Sequence, residues 1–318
     1  MKIAFFGTPP FAATCLQALH DSPNHELVGV VTAPDKKAGR GHLMQPSAVK
    51  LLAEELGYSL LQPSNLKDSK FLEDFSRWGA DLAVVVAFRM LPETVWNHPP
   101  LGSINLHASL LPQLRGAAPI QWAIMHGLEE SGVTTFRLNH SIDTGDILMQ
   151  ERLQLSPSET AGSLHDKLLF SGKNLLLKTL DIMETRNFQA FPQDQRASGE
   201  LLDAPKLNKS NTRIDWNRNG KDILAQIRGL FPQPMAWTPT PFGDFKIASA
   251  SLHSSAGSKS EGFISEALNG ESRKVQKSLL IKCADGWIEL HEIIPPGKKL
   301  MNASEWLNGV QSQTGNWG

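Results

Sequence analysis

Short apolar strands alternate with amphipathic helices throughout the first 155 residues, and few folds accommodate this pattern. The strand-like runs are residues 3–6, 27–32, 82–87, 103–107 and 133–138, and the segments with helical spacing are 11–20, 47–56, 70–78 and 118–126. Strands that alternate with helices predict a parallel, doubly wound (Rossmann-like) sheet in an α/β domain. The uninterrupted apolar run 82–87 is typical of a central strand covered on both faces.

The pattern changes after a further helical segment at residues 163–185. Residues 190–213 show little periodicity and include Pro192, Gln193, Gln195, Gly199 and Pro205, which indicates a linker. One helix is then expected at 221–229, and short strands are expected at 245–248, 262–267, 279–283 and 287–293. The sequence therefore predicts an α/β domain over 1–189, a linker over 190–204 and a smaller β-barrel domain over 205–318.

Cysteine usage and charge limit the classes of protein that remain. The two cysteines, Cys15 and Cys283, allow neither a disulfide framework nor a zinc site of the CxxC kind, so a reducing cytoplasm is expected. The first apolar run is too short for a signal peptide, and no apolar run is long enough to cross a membrane. Residues 1–204 carry 17 Lys and Arg against 22 Asp and Glu, whereas residues 205–318 carry 14 against 10. This asymmetry favours a second domain that meets a polyanion, although solvation alone also explains a modest excess.

Loops that follow strands hold the ligand in an open parallel sheet. The first such loop, residues 7–12, has one glycine and two prolines in the sequence GTPPFA. It lacks the GxGxxG arrangement, and Pro9 and Pro10 provide no backbone donors for a pyrophosphate. Dinucleotide binding, and with it a dehydrogenase, is therefore not expected.

A polar pair and a loop carboxylate are the candidates for chemistry. Asn105 and His107 project to the same side of one strand near its end, and Asp143 lies in the later loop Asp143-Thr144-Gly145-Asp146. An amide donor beside an imidazole can stabilise a carbonyl oxygen that becomes an oxyanion. Two structural interpretations stay open, a polar strand cap and a simple turn. A serine hydrolase built on Ser109, His107 and Asp143 is weaker because no GxSxG motif surrounds Ser109.

These motifs together resemble the signature of the formyltransferases that use 10-formyltetrahydrofolate. The matching residues are Asn105-x-His107-x-Ser109-Leu110-Leu111-Pro112, Arg115-Gly116, Pro119 and Asp143-Thr144-Gly145-Asp146. The resemblance implies that Asn105, His107 and Asp143 are catalytic and that no metal is required. It also implies a folate-binding set: Phe88, Arg89, Met90, Ser109, Leu110, Leu111 and Pro112. Here the chain departs from the family, which usually has Ala-Tyr-Gly-x-Ile-Leu-Pro where residues 87–92 read Ala-Phe-Arg-Met-Leu-Pro.

Other segments bear on the acceptor of the formyl group. Residues 32–50 resemble a basic loop that enters the acceptor stem in the tRNA-directed members of the family, and segments at 206–207, 214–216, 227–229 and 296–301 are similar to their OB-like second domain. The resemblance implies initiator methionyl-tRNA as partner, formylation of the methionine α-amino group, and the tRNA-binding residues Lys36, Lys37, Arg40, Lys206, Lys298 and Lys299. A monomer is expected. The alternatives are a sugar or ribonucleotide N-formyltransferase with the same centre, and a non-catalytic RNA-binding protein.

Overall fold

The computed structural model describes the chain except for residues 39–42, 186–187, 197–198, 241, 254–261, 264–271, 276–277 and 312–318. It divides into two compact units. The first comprises Met1–Pro119, Glu130–Gln154 and Asp166–Ala204, and the second comprises Ile120–Glu129, Leu155–His165 and Pro205–Gly318. No helix in the described part of the chain is both long and apolar enough to span a membrane.

The five strands predicted for the first unit are all present, and six further strands in its described part, most of them two or three residues long, were not predicted. Together they are β1 Lys2–Gly7, β2 Glu26–Val31, β3 Lys36–Ala38, β4 Leu43–Gln45, β5 Leu60–Leu61, β6 Leu82–Val86, β7 Ser103–His107, β8 Arg115–Gly116, β9 Glu130–Arg137, β10 Ile147–Gln154 and β11 Asp203–Ala204. Seven of them form one sheet in the order β10-β9-β7-β6-β1-β2-β5. Every residue of the central strand β6 is buried, as its apolar run predicts.

The helices also agree with the apolar spacing. They are α1 Pro10–His20, α2 Ala48–Glu55, α3 Ser69–Arg77, α4 Glu93–Trp96, α5 Pro119–Met125, which belongs to the second unit from Ile120, and α6 Ala161–Glu184, which belongs to the second unit up to His165. The ends of two helices are fixed by side-chain caps, since Ser47 accepts a hydrogen bond from the backbone of α2 and Asp68 accepts one from the backbone of α3. The predicted α/β, doubly wound architecture is confirmed.

The direction of one predicted strand differs from the expected parallel sheet. β5, β2, β1, β6 and β7 are mutually parallel along the sheet, whereas β9 runs antiparallel to β7 and pairs with β10 as a hairpin. Burial patterns are the same for both directions, so the apolar run at 133–138 carried no information about strand direction.

The segment predicted as a linker, residues 190–204, makes its contacts within the first unit. β11 pairs in parallel with β8, and Phe191 forms an isolated bridge with Ile147. Ala204 O accepts hydrogen bonds from the backbone of both Ala117 and Ala118. A glycine is required at 116, because φ there is +124° and a Cβ would lie 2.5 Å from Ala204 O.

The second unit is predominantly an antiparallel sheet. Besides α5 and the start of α6, its elements are α7 Gly220–Leu230, β12 Ala236–Thr240, β13 Gly243–Leu252, β14 Gly262–Phe263, β15 Ser272–Val275, β16 Ser278–Cys283, β17 Gly286–Ile294, β18 Met301–Asn302 and α8 Ala303–Gln311. The strand order is β12-β13-β17-β16-β15-β14, with β18 paired to β17, and the unit forms a half-barrel. Its buried core includes Trp216, Ile223, Phe245 and Ile288. The predicted β-rich second domain is confirmed, although residues 264–267 of the expected strand 262–267 lie outside the described residues.

Candidate active site

The Asn105 and His107 side chains lie on the strand β7, which is held between β6 and β9. Asn105 is registered with Val85 on one side and Phe136 on the other, so the backbone of the pair is fixed from both sides. The period of a strand places the two side chains on one face. Asn105 is half-buried, and within the described part of the chain its amide group has no side-chain hydrogen-bond partner. It is therefore free to donate to a ligand.

The His107 imidazole is buried and fixed at one nitrogen. Its Nε2 lies 2.9 Å from the backbone oxygen of Leu114, and its Nδ1 lies 3.8 Å from Asp143 Oδ2. A carbonyl oxygen only accepts, so this network assigns a proton to Nε2. Nδ1 is consequently the nitrogen that faces the carboxylate, at a separation longer than a hydrogen bond.

The Asp143 carboxylate is placed by an unusual backbone conformation. Asp143 has φ +53°, in the left-handed region, and its Oδ2 accepts a hydrogen bond of 2.9 Å from the Gly116 backbone N–H. Its loop is closed further by Asn139 Oδ1, which accepts from Ser141 N and from Thr144 Oγ1. Asn105, His107 and Asp143 were all identified in the sequence, and the structure brings the last two together.

Gln193 contacts the same loop, although nothing in the sequence singled it out. Its side chain lies in the segment predicted as a linker and is buried, with the residue only 3% exposed. Gln193 Oε1 accepts two hydrogen bonds from the Arg115 guanidinium, and Gln193 Nε2 donates to the backbone oxygens of Asp143 and Gly145. The residues around Gln193 show little periodicity, and the adjacent Pro192 is a common loop residue. The local sequence therefore did not indicate that this side chain is buried and hydrogen-bonded.

Ser109 does not pair with His107. Its hydroxyl is buried and donates to the Gln113 backbone oxygen at 2.6 Å, while its own carbonyl accepts from Thr134 Oγ1. Both recorded contacts of the His107 ring nitrogens, to Leu114 and Asp143, leave Ser109 out. The serine-hydrolase alternative is therefore wrong, because its nucleophile and base are not hydrogen-bonded.

The loop after β6 carries the departure from the usual family pattern. Arg89 donates through Nη1 to the Ser64 backbone oxygen at 2.9 Å and through Nη2 to that of Pro63, and its guanidinium lies over the Phe88 ring at 5.8 Å. Phe88 packs edge-on against Phe6. The arginine thus joins the loop after β6 to the loop after β5. Between these loops lies a pocket of about 850 Å³, whose lining includes Asn65, Lys67, Arg89, Met90 and Glu93.

The predicted basic residues are distributed over both units. In the first unit, Lys36 is exposed in the β3–β4 hairpin, Lys37 occupies the next position, and Arg40 lies outside the described residues. In the second unit, Lys206, Lys298 and Lys299 are exposed. No group of three or more His, Cys, Asp or Glu side chains among the described residues could hold a metal ion.

Two family models match this chain, and together they cover most of it. The model for formyl transferase matches residues 1–180, and the model for the formyl transferase C-terminal domain matches residues 206–311. The chain belongs to the formyl transferase family. The resemblance stated from the motifs is therefore confirmed.

Curated relatives extend this relationship over nearly the whole chain. A methionyl-tRNA formyltransferase of Parabacteroides distasonis is 43% identical over 98% of this chain and 96% of the relative. A methionyl-tRNA formyltransferase of Bacteroides fragilis is 42% identical over 97% and 95%, and one of Flavobacterium johnsoniae is 42% identical over 98% and 96%.

Solved structures of lower identity share the fold. WlaRD, a sugar 3N-formyl transferase, has a TM-score of 0.64 at 18% identity, covering 94% of this chain and 99% of its own. HypX from Aquifex aeolicus, in complex with tetrahydrofolic acid, has a TM-score of 0.61 at 17% identity, covering 98% of this chain and 47% of its own. At these identities the likeness concerns the fold alone.

Proposed function

We propose that this chain transfers the formyl group of 10-formyltetrahydrofolate to the α-amino group of methionine esterified to initiator tRNA, and so supplies N-formylmethionyl-tRNA for translation initiation. The observation that carries the proposal is the extent of the relationship. Relatives named methionyl-tRNA formyltransferase match 97% and 98% of the chain, so the resemblance includes the second unit as well as the catalytic one.

The residues on β7 suit the attack step. The unprotonated amine attacks the formyl carbon, a new C–N bond forms, and the carbonyl oxygen takes the negative charge. The bond from that carbon to N10 of the folate then breaks, and N10 takes up a proton as the amine loses one. The Asn105 amide, which has no side-chain partner in the described residues, donates to the developing oxyanion.

His107 donates to the same oxyanion from Nδ1 in its protonated form. Its Nε2–H is already used on Leu114 O, so Nδ1 is the nitrogen available. The Asp143 carboxylate lies 3.8 Å from this nitrogen. Asp143 has two possible roles, orienting and charging His107, or accepting the amine proton directly or through water.

We assign the donor to the loops at the carboxyl ends of β6 and β7. Phe88, Arg89 and Met90 come from the first loop, and Ser109, Leu110, Leu111 and Pro112 come from the second. Ser109, Leu111 and Pro112 are buried and support the second loop, whereas Leu110 is partly exposed. Arg89 stabilises the first loop through its bonds to Ser64 and Pro63.

We assign tRNA binding to six cationic residues, of which Lys36, Lys206, Lys298 and Lys299 are exposed. Lys36, Lys37 and Arg40 are proposed to contact acceptor-stem phosphates, and Lys206, Lys298 and Lys299 to contact tRNA from the second unit. We further propose that the protein acts as a monomer in the cytoplasm, over domains 1–189 and 205–318 joined by residues 190–204.

The decisive experiment measures formyl transfer from 10-formyltetrahydrofolate to four acceptors under one condition. These are methionyl initiator tRNA, methionyl elongator tRNA, glycinamide ribonucleotide and a nucleotide-linked amino sugar. Transfer confined to the initiator supports the proposal. Transfer only to a small amine would keep the catalytic centre and contradict the assignment of the acceptor, and RNA binding without folate binding would contradict the enzyme itself.

A further inference from the structure

Every hydrogen-bonding position of the Gln193 side-chain amide is used. Its oxygen accepts from Arg115 Nε at 2.9 Å and Nη2 at 2.7 Å, and its nitrogen donates to Asp143 O at 2.9 Å and Gly145 O at 2.8 Å. A primary amide has two donor hydrogens and two acceptor lone pairs, so this one is fully satisfied in a buried position. Such an amide is held in one orientation, because a flip would oppose donors to donors.

The groups that Gln193 contacts are the ones that place the Asp143 carboxylate. Arg115 is followed by Gly116, whose N–H donates to Asp143 Oδ2, and the two carbonyls belong to the turn that contains Asp143. That turn keeps Asp143 at φ +53°, a left-handed conformation that is unfavourable for a residue with a side chain and needs support from its surroundings. Gln193 provides that support from one side and Gly116 from the other.

We propose that Gln193 is a positioning residue for formyl transfer, which holds the Asp143 turn so that the carboxylate stays between Gly116 N and His107 Nδ1. It acts through Asp143 and does not itself touch the substrates. This inference rests on the proposed function for its catalytic meaning and on the four hydrogen bonds of the Gln193 amide for its geometry. Gln193 belongs to residues 181–205, which lie between the ranges matched by the two family models.

Two substitutions distinguish the role of the Gln193 amide oxygen from that of its amide nitrogen. Gln193→Glu keeps an acceptor for Arg115 but replaces the donor nitrogen by an oxygen that faces two carbonyl oxygens. Gln193→Met removes both kinds of hydrogen bond and keeps a similar volume. Gln195→Met is the matched control, since Gln195 is an exposed glutamine in the same short helical turn, residues Gln193–Arg196.

The kinetic test is a double-mutant cycle with Asp143→Asn. We expect Gln193→Met and Gln193→Glu each to lower kcat for methionyl-tRNA formylation about 10–100-fold, with KM for both substrates changed less than about threefold. In the Asp143→Asn background the Gln193 substitutions should change kcat less than about twofold, because the group they position is already lost. Gln195→Met should match the parent in both backgrounds.

The structural test is a crystal structure of Gln193→Glu, together with its thermal melting. We expect a folded protein in which Asp143 Oδ2 has left Gly116 N. An equal loss of kcat in both Asp143 backgrounds, or a carboxylate that stays on Gly116 N with parental activity, would overturn the inference. If the parent protein formylates no methionyl-tRNA while the carboxylate is displaced in the variant, the proposed function fails and the positioning role of Gln193 stands.

Discussion

At the scale of single residues, the centre combines two amides in opposite states. The Gln193 amide is buried and fully hydrogen-bonded, whereas the Asn105 amide is half-buried and has no side-chain partner among the residues described. An unsatisfied donor costs little while water can reach it, and it becomes useful when a ligand oxygen replaces that water. The difference separates the residue proposed to contact substrate from the one proposed to support it.

Asn105→Ala removes one of the two proposed oxyanion donors. Loss of one such donor lowers turnover by about 10²–10³-fold, so kcat for formyl transfer should fall in this range. Affinity for methionyl-tRNA should stay near that of the parent, because the donated hydrogen bond strengthens only as charge develops. Rapid-quench measurement of formyl transfer checks the expected kcat, and a filter-binding titration checks the affinity for methionyl-tRNA. A variant within about threefold of the parental kcat would contradict the assignment of Asn105.

Gly116→Ala tests the backbone donor that holds Asp143. An added Cβ would meet Ala204 O at 2.5 Å, and φ +124° is strained for alanine, so unfolding free energy should fall by about 2–4 kcal/mol. Activity should fall as well, since the shifted N–H no longer reaches Asp143 Oδ2. Gly286→Ala is the control, because nothing lies within 4 Å of its added Cβ. Equal urea midpoints for the two variants would show that 116 tolerates a side chain.

At the scale of elements, helix α7 begins without a cap from its own N-terminal neighbour. Asn219 makes no side-chain cap hydrogen bond, and Asp285, in the turn between β16 and β17, accepts from the Gly220 N–H at 2.7 Å instead. The Gly220 N–H, followed by the Cys283 thiol, holds the pKa of Asp285 below its ordinary value. The start of this helix is therefore fixed by a residue far away in the sequence.

Asp285→Asn should lower the melting temperature at pH 7. The folded-state pKa of Asp285 lies below the unfolded one, so its stabilisation is complete above the unfolded pKa of about 4 and disappears as pH falls through the folded value. The difference in melting temperature between parent and variant should shrink from pH 6 to pH 3. Glu55→Gln, which removes an exposed carboxylate of α2, serves as control. A difference that stays constant with pH would show that the charge is not responsible.

At the scale of the whole molecule, each unit contains one buried cysteine. Cys15 belongs to α1 in the first unit and Cys283 to β16 in the second. Burial raises the pKa of the Cys15 thiol to about 12 and also raises the pKa of Cys283. Since the thiolate is the reactive form, each cysteine reports on the opening of its own unit.

Thiol labelling should follow unfolding in both units. In the native protein at pH 8, neither thiol should react with Ellman's reagent on the time scale of a free thiol, and urea should expose each as its own unit unfolds. The variants Cys283→Ala and Cys15→Ala each leave one thiol, so the two transitions can be compared directly. Rapid labelling of either thiol without denaturant would contradict its burial.

The proposed contacts between cationic side chains and tRNA phosphates predict a salt-dependent tRNA affinity. If Arg40 binds a phosphate, Arg40→Ala should weaken binding of methionyl initiator tRNA and reduce the slope of log K against log salt by about 0.7–0.9. Arg77→Ala is the control, since Arg77 on α3 is paired with Glu73 and Asp74. Fluorescence titrations from 50 to 300 mM salt measure the slope. The same slope in Arg40→Ala and in the parent would remove Arg40 from the tRNA surface.

The sequence by itself determined the positions of half of the described strands and most of the described helices, the β-rich second domain and the family. Periodicity reports which face of a local segment is buried, and a motif reports residue types at fixed spacing. The run at 82–87 therefore predicted the buried central strand β6. The motifs likewise identified Asn105, His107 and Asp143 as candidate site residues.

Only the tertiary structure decided which distant groups meet. The direction of β9, the attachment of Arg89 to Pro63 and Ser64, and the placement of Gln193 were not readable in the sequence. Asp143 receives its hydrogen bond from a residue 27 positions away, and Gln193 reaches groups 50 and 78 positions away. Local pattern encodes burial but not the partner of a buried polar group, because that partner is set by where the folded chain returns.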